Sequence, residues 1–199
     1  MVNLDRNVFA ACMVVNGHAD ALVTGMTRPF TKSFEHVTRV IDPKQGTEFC
    51  TTSMLISKGR TVFIGDTSIH ERPTAEQMAD IAIAIASKAR TMGYSPRVAF
   101  LSFSNFGQPS SSIIKHPHNA ASILDERGVD FEYEGEMTAD IALDFELMQS
   151  RYPFSRLTGP ANILVMPGLH AANISFQIMQ HLGGGSVISL LILSVEYPF

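Results

Sequence analysis

The stretch RVAFLSFSNFGQPSSS, residues 97–112, decides how the rest of the chain is read. Val98, Ala99, Phe100 and Leu101 form an unbroken apolar run, the pattern of a strand buried on both faces. The run ends in Ser102, Ser104, Asn105 and Gly107, small residues expected to leave backbone N–H groups free. Pro109 and the serines at 110–112 then supply a helix start. A strand that passes through a polar loop into a helix N-terminus makes an anion site, because unpaired N–H groups and the helix dipole converge on the ligand. Open α/β sheets hold ligands at such carboxyl ends of strands. An ordinary Ser/Gly turn fits the same residues.

Outward from this stretch, apolar helices and strands alternate. Residues 7–16 read as a buried helix, 21–24 as a strand, and 31–41 as a helix with Phe34, Val37, Val40 and Ile41 at helical spacing. Residues 50–56 and 61–64 flank SKGR (57–60) as a hairpin or tight turn. Residues 73–92 give the clearest helix: Pro73 suits the first turn, Thr74 and Gln77 approximate a capping box, and Met78, Ile81, Ile85 and Ala89 mark an apolar stripe. Strands are expected at 98–102, 129–133, 161–166 and 187–193, and helices at 112–126, 139–150 and 171–182. Repeated βα units predict an α/β fold with a parallel-rich sheet covered by helices on both faces. The chain opens on an apolar helix with no strand before it and stops at Tyr197, Pro198 and Phe199, just after a buried strand. Both ends therefore read as cuts through a larger fold, incomplete at both ends.

At 199 residues, with 45% hydrophobic and 17% charged residues, the chain can bury a sizeable core and disorder is not expected. A formal net charge of -4, with no basic run, gives no attraction to nucleic acid or to an anionic membrane. Cys12 and Cys50 are isolated, so neither a zinc site nor a disulfide framework is indicated. The absence of a long apolar run and of a signal-like N-terminus points to the cytoplasm. His116 and His118 form an H-P-H pair without a third ligand, and no metal is expected. His70, His170 and His181 read as surface hydrogen-bonding residues, and the 10 methionines as core filling.

The series ADALVTG (19–25), DTSIHERPTAEQMADIAI (66–83), PRVAFLSFSNFG (96–107), FEYEGEMTADIAL (131–143), GPANILVMPGLHAANIS (159–175) and SVISLLIL (186–193) resembles the phosphate acetyl/butyryltransferase family along essentially the whole chain. VTGMTRPFTKSFEHVTRVIDPKQG (23–46) and RYPFSRLTGPANILVMP (151–167) resemble, within that family, the C-terminal phosphotransacetylase-like domain of the bacterial NADP-dependent malic enzymes. The resemblance implies an isocitrate/isopropylmalate dehydrogenase-like fold of two subdomains with a coenzyme A thioester cleft between them. By that likeness residues 1–45 continue the first subdomain and 46–199 form most of the second.

The departures from the active branch are chemical. Active phosphotransacetylases carry a His after the VSG-type loop and an Arg seven residues further on; this chain has Arg28 and Glu35. Their S-T-G-T-S-G loop is replaced by Ser104, Asn105, Phe106, Gly107, Gln108 and Pro109, in which Phe106 is bulky and Pro109 lacks an N–H. A Ser-Arg pair and a catalytic Asp fall beyond the end of this sequence. Ser189-Leu190 stands where the family usually has Gly-Pro. Loss of the base alone costs on the order of 10²–10⁴ in rate, so no catalytic residue is assigned.

The resemblance then implies a regulatory and oligomerising module that binds acetyl-CoA or a related thioester, pairs as a homodimer, and acts on a malic enzyme catalytic domain. Candidate contacts are Thr24, Gly25, Thr27 and Arg28 in the first loop and Ser102, Ser104, Asn105 and Gly107 in the second. Arg28 is placed to meet a coenzyme phosphate or to serve as a structural Arg. Asp140 matches an acidic family position and also suits a helix cap; Asn173 lines the cleft or caps a helix. Two alternatives stay open: an active phosphate acetyl- or butyryltransferase completed by another chain, and a remnant of a split gene that binds nothing.

Overall fold

The computed structural model describes residues 5–25, 27–107 and 115–195. The chain divides into two compact units, Met1–Phe49 with Ser194–Phe199, and Cys50–Leu193.

In the first unit, α1 (Arg6–Val15) is capped by Asp5, whose carboxylate accepts from the Asn7 and Val8 N–H groups at 2.9 and 3.3 Å. The following α2 (Phe30–Val37) starts directly after Pro29. Ala11 of α1 packs against Val37 and Ile41, with Leu22 and Val195 at the margin. The Lys44 N–H donates to Ser194 O at 2.8 Å, and Pro43 bridges Val195. No strand forms at 21–24, contrary to the sequence reading. Val23 is 91% exposed and Thr24 bonds sideways to Asn7, so the segment runs extended with no ladder partner.

The second unit is built on a six-stranded sheet. In chain order its elements are β1 (Cys50–Ser57), β2 (Arg60–Gly65), α3 (Ala75–Thr91), β3 (Arg97–Leu101), α4 (Lys115–Arg127), β4 (Glu132–Met137), α5 (Ala139–Leu143), α6 (Phe145–Arg151), β5 (Ile163–Val165), α7 (Leu169–Leu182) and β6 (Ser186–Leu193). The strand order is β4-β3-β5-β2-β1-β6. β2, β5, β3 and β4 pair in parallel, whereas β1 runs antiparallel to both β2 and β6. The sheet is therefore mixed and mostly parallel in direction, with β1 the reversed strand. The reversal is local in origin: Lys58 and Gly59 both take positive φ (51° and 73°), the two-residue hairpin turn whose twist matches the flanking strands.

The unbroken apolar runs follow from burial on two faces. Phe63, Val98, Phe100, Ile163 and Val165 turn toward α3 and α4, where they meet Ile81, Ile85 and Leu124. Ile64, Ala99, Leu101, Leu164 and Met166 turn the other way, toward Ile141, Met148 and Phe176 of α5, α6 and α7. Alternate residues of each strand thus feed different cores, and no polar residue interrupts the run.

Thr74 caps α3 as expected: its hydroxyl accepts from Gln77 N at 3.2 Å, and the Gln77 side chain accepts from Thr74 N at 3.0 Å. The helix expected at 139–150 is two helices, because Asp144 takes an extended conformation, ends α5, and caps α6 through Leu147 N at 3.0 Å. β4 lies at 132–137 rather than 129–133. It carries Glu134 and Glu136 into buried positions that a hydrophobic reading passes over. The start of the helix expected at 112–126 lies outside the described residues, as do Gln108 and Pro109.

Candidate functional site

The first-loop residues converge on one pocket of about 290 Å³ in the first unit, lined among others by Arg6, Asn7, Thr24, Thr27, Arg28 and Ser33. Gly25, with φ 104°, lets the chain turn at its rim. Arg28 does not project freely. Its guanidinium pairs with Asp5, and His36 Nδ1 lies 3.0 Å from the same carboxylate oxygen and 3.2 Å from Arg28 Nη1. The hydrogen bond from Arg28 holds the Asp5 carboxyl well below the usual carboxylate range, with the two helix N–H groups adding to it. Arg6 donates to the Thr27 hydroxyl, and the Thr24 hydroxyl donates to Asn7 Oδ1 at 2.7 Å.

Two buried polar atoms of residues in this lining are left over. Among the described residues Asn7 Nδ2 and Ser33 Oγ have no hydrogen-bond partner, and Asn7 and Ser33 are 3% and 4% exposed. A buried amide or hydroxyl without a partner costs free energy, and in a pocket with two guanidiniums such donors suit a bound oxyanion. Glu35, on α2, is held between Lys32 at 2.8 Å and Arg39. These two cations lower its pKa and keep it ionised.

The second loop follows β3 in the other unit. Three of its described N–H groups are already taken. Ser102 N donates to Met137 O at 2.9 Å, Phe106 N to Glu136 O at 3.0 Å, and Gly107 N to the Glu136 carboxylate at 2.6 Å. Glu136 is fully buried, and its second oxygen has no hydrogen bond; the exposed His118 imidazole stands 3.7 Å from it. Asn105 Oδ1 accepts from Thr138 N at 2.8 Å and so ties the loop to the start of α5. Ser104 is buried with its hydroxyl unpartnered. Phe106, at φ 51°, packs its ring 4.9 Å from Tyr152 and 4.8 Å from Phe154. The buried Glu136 side chain thus takes one donor that a phosphoryl group could use, and backbone carbonyls take two more.

Asp140 is exposed in the first turn of α5 and accepts from the Thr138 hydroxyl, which lowers its pKa. Asn173 is exposed on α7, where its Oδ1 accepts from Gln177 at 3.3 Å; the cap of that helix is Gly168.

One cluster escaped the sequence reading. His70 is not a surface residue: its Nδ1 lies 2.7 Å from the buried Asp66, which also accepts from His70 N at 3.0 Å, Thr51 N at 3.0 Å and the Thr51 hydroxyl. Thr67 joins Thr51 and Ser53 in the same buried network. Burial acts to raise the Asp66 pKa, but hydrogen bonds from His70 and Thr51 outweigh it and leave the carboxyl below its ordinary value. The available signal was the spacing Asp66-x-x-x-His70 directly after an apolar strand. Among the described residues no group of three or more His, Cys, Asp or Glu side chains is arranged to hold a metal, and no helix is long and apolar enough to cross a membrane.

Comparison with known proteins matches this geometry to a family. The chain is 48% identical to an NADP-dependent malic enzyme of Rhizobium meliloti over 98% of its own length and 26% of that protein's. It is 29% identical to the phosphate acetyltransferase of Bacillus subtilis over 98% of its length and 61% of that enzyme's. The chain therefore spans about a quarter of the malic enzyme it matches. Among solved structures, a phosphotransacetylase from Streptococcus pyogenes superposes with a TM-score of 0.89 at 27% identity, covering 96% of this chain and 59% of that one. EutD phosphotransacetylase from Staphylococcus aureus superposes with a TM-score of 0.86, also at 27% identity, covering 96% and 60%. The family model for phosphate acetyl/butaryl transferase matches residues 1–199, and the chain belongs to that family.

Proposed function

We propose that this chain is a non-catalytic, acetyl-CoA-binding regulatory module of a malic-type enzyme. The observation that carries the reading is the first-unit pocket. It combines two guanidiniums with two buried polar atoms, Asn7 Nδ2 and Ser33 Oγ, that have no hydrogen bond among the described residues, a set suited to the phosphates of coenzyme A. Charges elsewhere in the same unit argue against acyl transfer to phosphate. Asp5 offsets the charge of Arg28, and Glu35 carries a carboxylate where the resemblance places an arginine in active relatives. Acyl transfer to phosphate needs a base for the thiol proton and cations for a dianion. Among the described residues the second loop carries no cation, and Glu136 takes its Gly107 N–H.

The 48% identity to a malic enzyme, against 29% to a phosphate acetyltransferase, supports a place beside a malate-decarboxylating domain. In that setting thioester bound here inhibits decarboxylation elsewhere in the longer protein, with a coupling of about 1–3 kcal/mol. The cytoplasm, where acetyl-CoA is made and used, is the compartment this reading requires, and a homodimer is its expected assembly.

Calorimetric titration with acetyl-CoA tests the reading. Saturable binding is expected, weakened about tenfold or more by Arg28→Gln, since hydrogen bonds to charged groups are worth about 1.5–3 kcal/mol. No heat at millimolar ligand would favour a remnant that binds nothing. Net synthesis of acetyl phosphate would favour an active transferase.

A further inference from the structure

We infer that the second unit carries a separate site for a small oxyanion, of the phosphate or dicarboxylate class, between Arg60 and Arg97. The two arginines line one cavity of about 170 Å³ together with Thr61, Tyr94 and Asn162. Arg60 opens β2, Arg97 opens β3, and Asn162 immediately precedes β5, three neighbouring strands that run in parallel. The cavity therefore sits at the amino ends of these strands. Five residue steps, about 17 Å of extended chain, separate Arg97 from Ser102. The cavity belongs to neither of the loops described above.

The donor inventory argues for an anion. Arg97 uses Nε to bond Pro160 O at 2.8 Å, which fixes the plane of its guanidinium, and its two terminal amino groups have no hydrogen-bond partner among the described residues. Arg60 spends one N–H on Leu143 O at 3.1 Å and keeps the rest. Neither arginine forms an ion pair among the described residues, and no Asp or Glu lines the cavity. Thr61 and Tyr94 share a single hydrogen bond at 3.1 Å, so one hydroxyl proton remains to donate outward. The acceptors nearby are already taken: Pro160 O by Arg97, and Asn162 Oδ1 by Arg97 N at 2.8 Å. Two like charges facing one cavity repel unless an anion lies between them. Paired guanidinium forks match the oxygen spacing of phosphate and carboxylate alike.

The test is a titration of the 199-residue chain with inorganic phosphate, with succinate, and with chloride at matched ionic strength. The readout is the NMR signals of the Arg60 and Arg97 Nε–H groups. Saturable shifts in both signals are expected with phosphate or succinate and not with chloride, and the tighter of the two identifies the source. Arg60→Gln should weaken binding by about tenfold, with the fold checked by circular dichroism. Arg60→Lys keeps the charge but not the fork and should weaken it less. Arg28→Gln, in the other unit, should leave these shifts unchanged. The inference fails if both signals stay unmoved through millimolar phosphate and succinate, or if Arg28→Gln alone abolishes binding.

Discussion

Asp5 serves α1 and the first pocket with one carboxylate: one oxygen caps the helix while the other meets Arg28 and His36. Asparagine caps helices as well as aspartate does, so Asp5→Asn should keep α1 while releasing Arg28. Acetyl-CoA affinity should then rise on the order of fivefold, the size of a lost partly exposed ion pair. Unchanged or weaker binding by calorimetry would remove Arg28 from the site. Asp66 has a different consequence. Its folded pKa lies below the ordinary value, so the unfolded chain takes up a proton first as pH falls. The stability it contributes is complete above the unfolded carboxyl pKa of about 3.9 and is lost as pH drops through the lower folded value. Urea midpoints should hold near neutral pH and fall in acid, and Asp66→Asn should flatten that acid limb. Asp66→Ala, which orphans buried donors on Thr51 and His70, should cost about 3 kcal/mol at neutral pH.

Among the elements, α3 and the β3-β4 pair carry the clearest tests. Thr74→Ala removes the hydroxyl half of the capping box and should cost about 1 kcal/mol in urea unfolding. Gly135 lies against β3, and a Cβ there would stand 2.7 Å from Phe100 Cβ and 2.9 Å from Phe100 O. Backbone cannot yield as a side-chain tip can, so Gly135→Ala should cost about 3 kcal/mol or prevent folding. A neutral result would place β4 further from β3 than the structure has it. The same elements show what the sequence made legible. The cap of α3, the hairpin at Lys58-Gly59 and the two-sided strands are set by neighbours in the chain, and each could be read from local spacing. The pairing of β6 with β1, the Asp5–Arg28–His36 cluster and the seat of Gly107 on Glu136 depend on residues 8 to 29 or more positions apart. β4 was misplaced because its polar residues looked exposed, whereas Glu134 is paired by Arg156 and Glu136 by the Gly107 N–H.

At the scale of the whole molecule, the family's fold persists, and the proposed difference lies in its chemistry. The chain superposes on phosphotransacetylases with TM-scores of 0.86 and 0.89 over 96% of its length. A shared fold says little about activity, which resides in the groups that line a site. In the proposed reading those groups suit an anionic ligand in the first unit, while in the second Glu136 takes the Gly107 N–H of the loop where the sequence suggested phosphate. The account therefore rests on binding without transfer. Phosphorus and proton NMR of the chain mixed with acetyl-CoA in phosphate buffer reads both at once. Saturable shifts of the coenzyme phosphates with the thioester intact over hours are the expected result. A growing acetyl phosphate signal, or coenzyme resonances untouched by the protein, would contradict it.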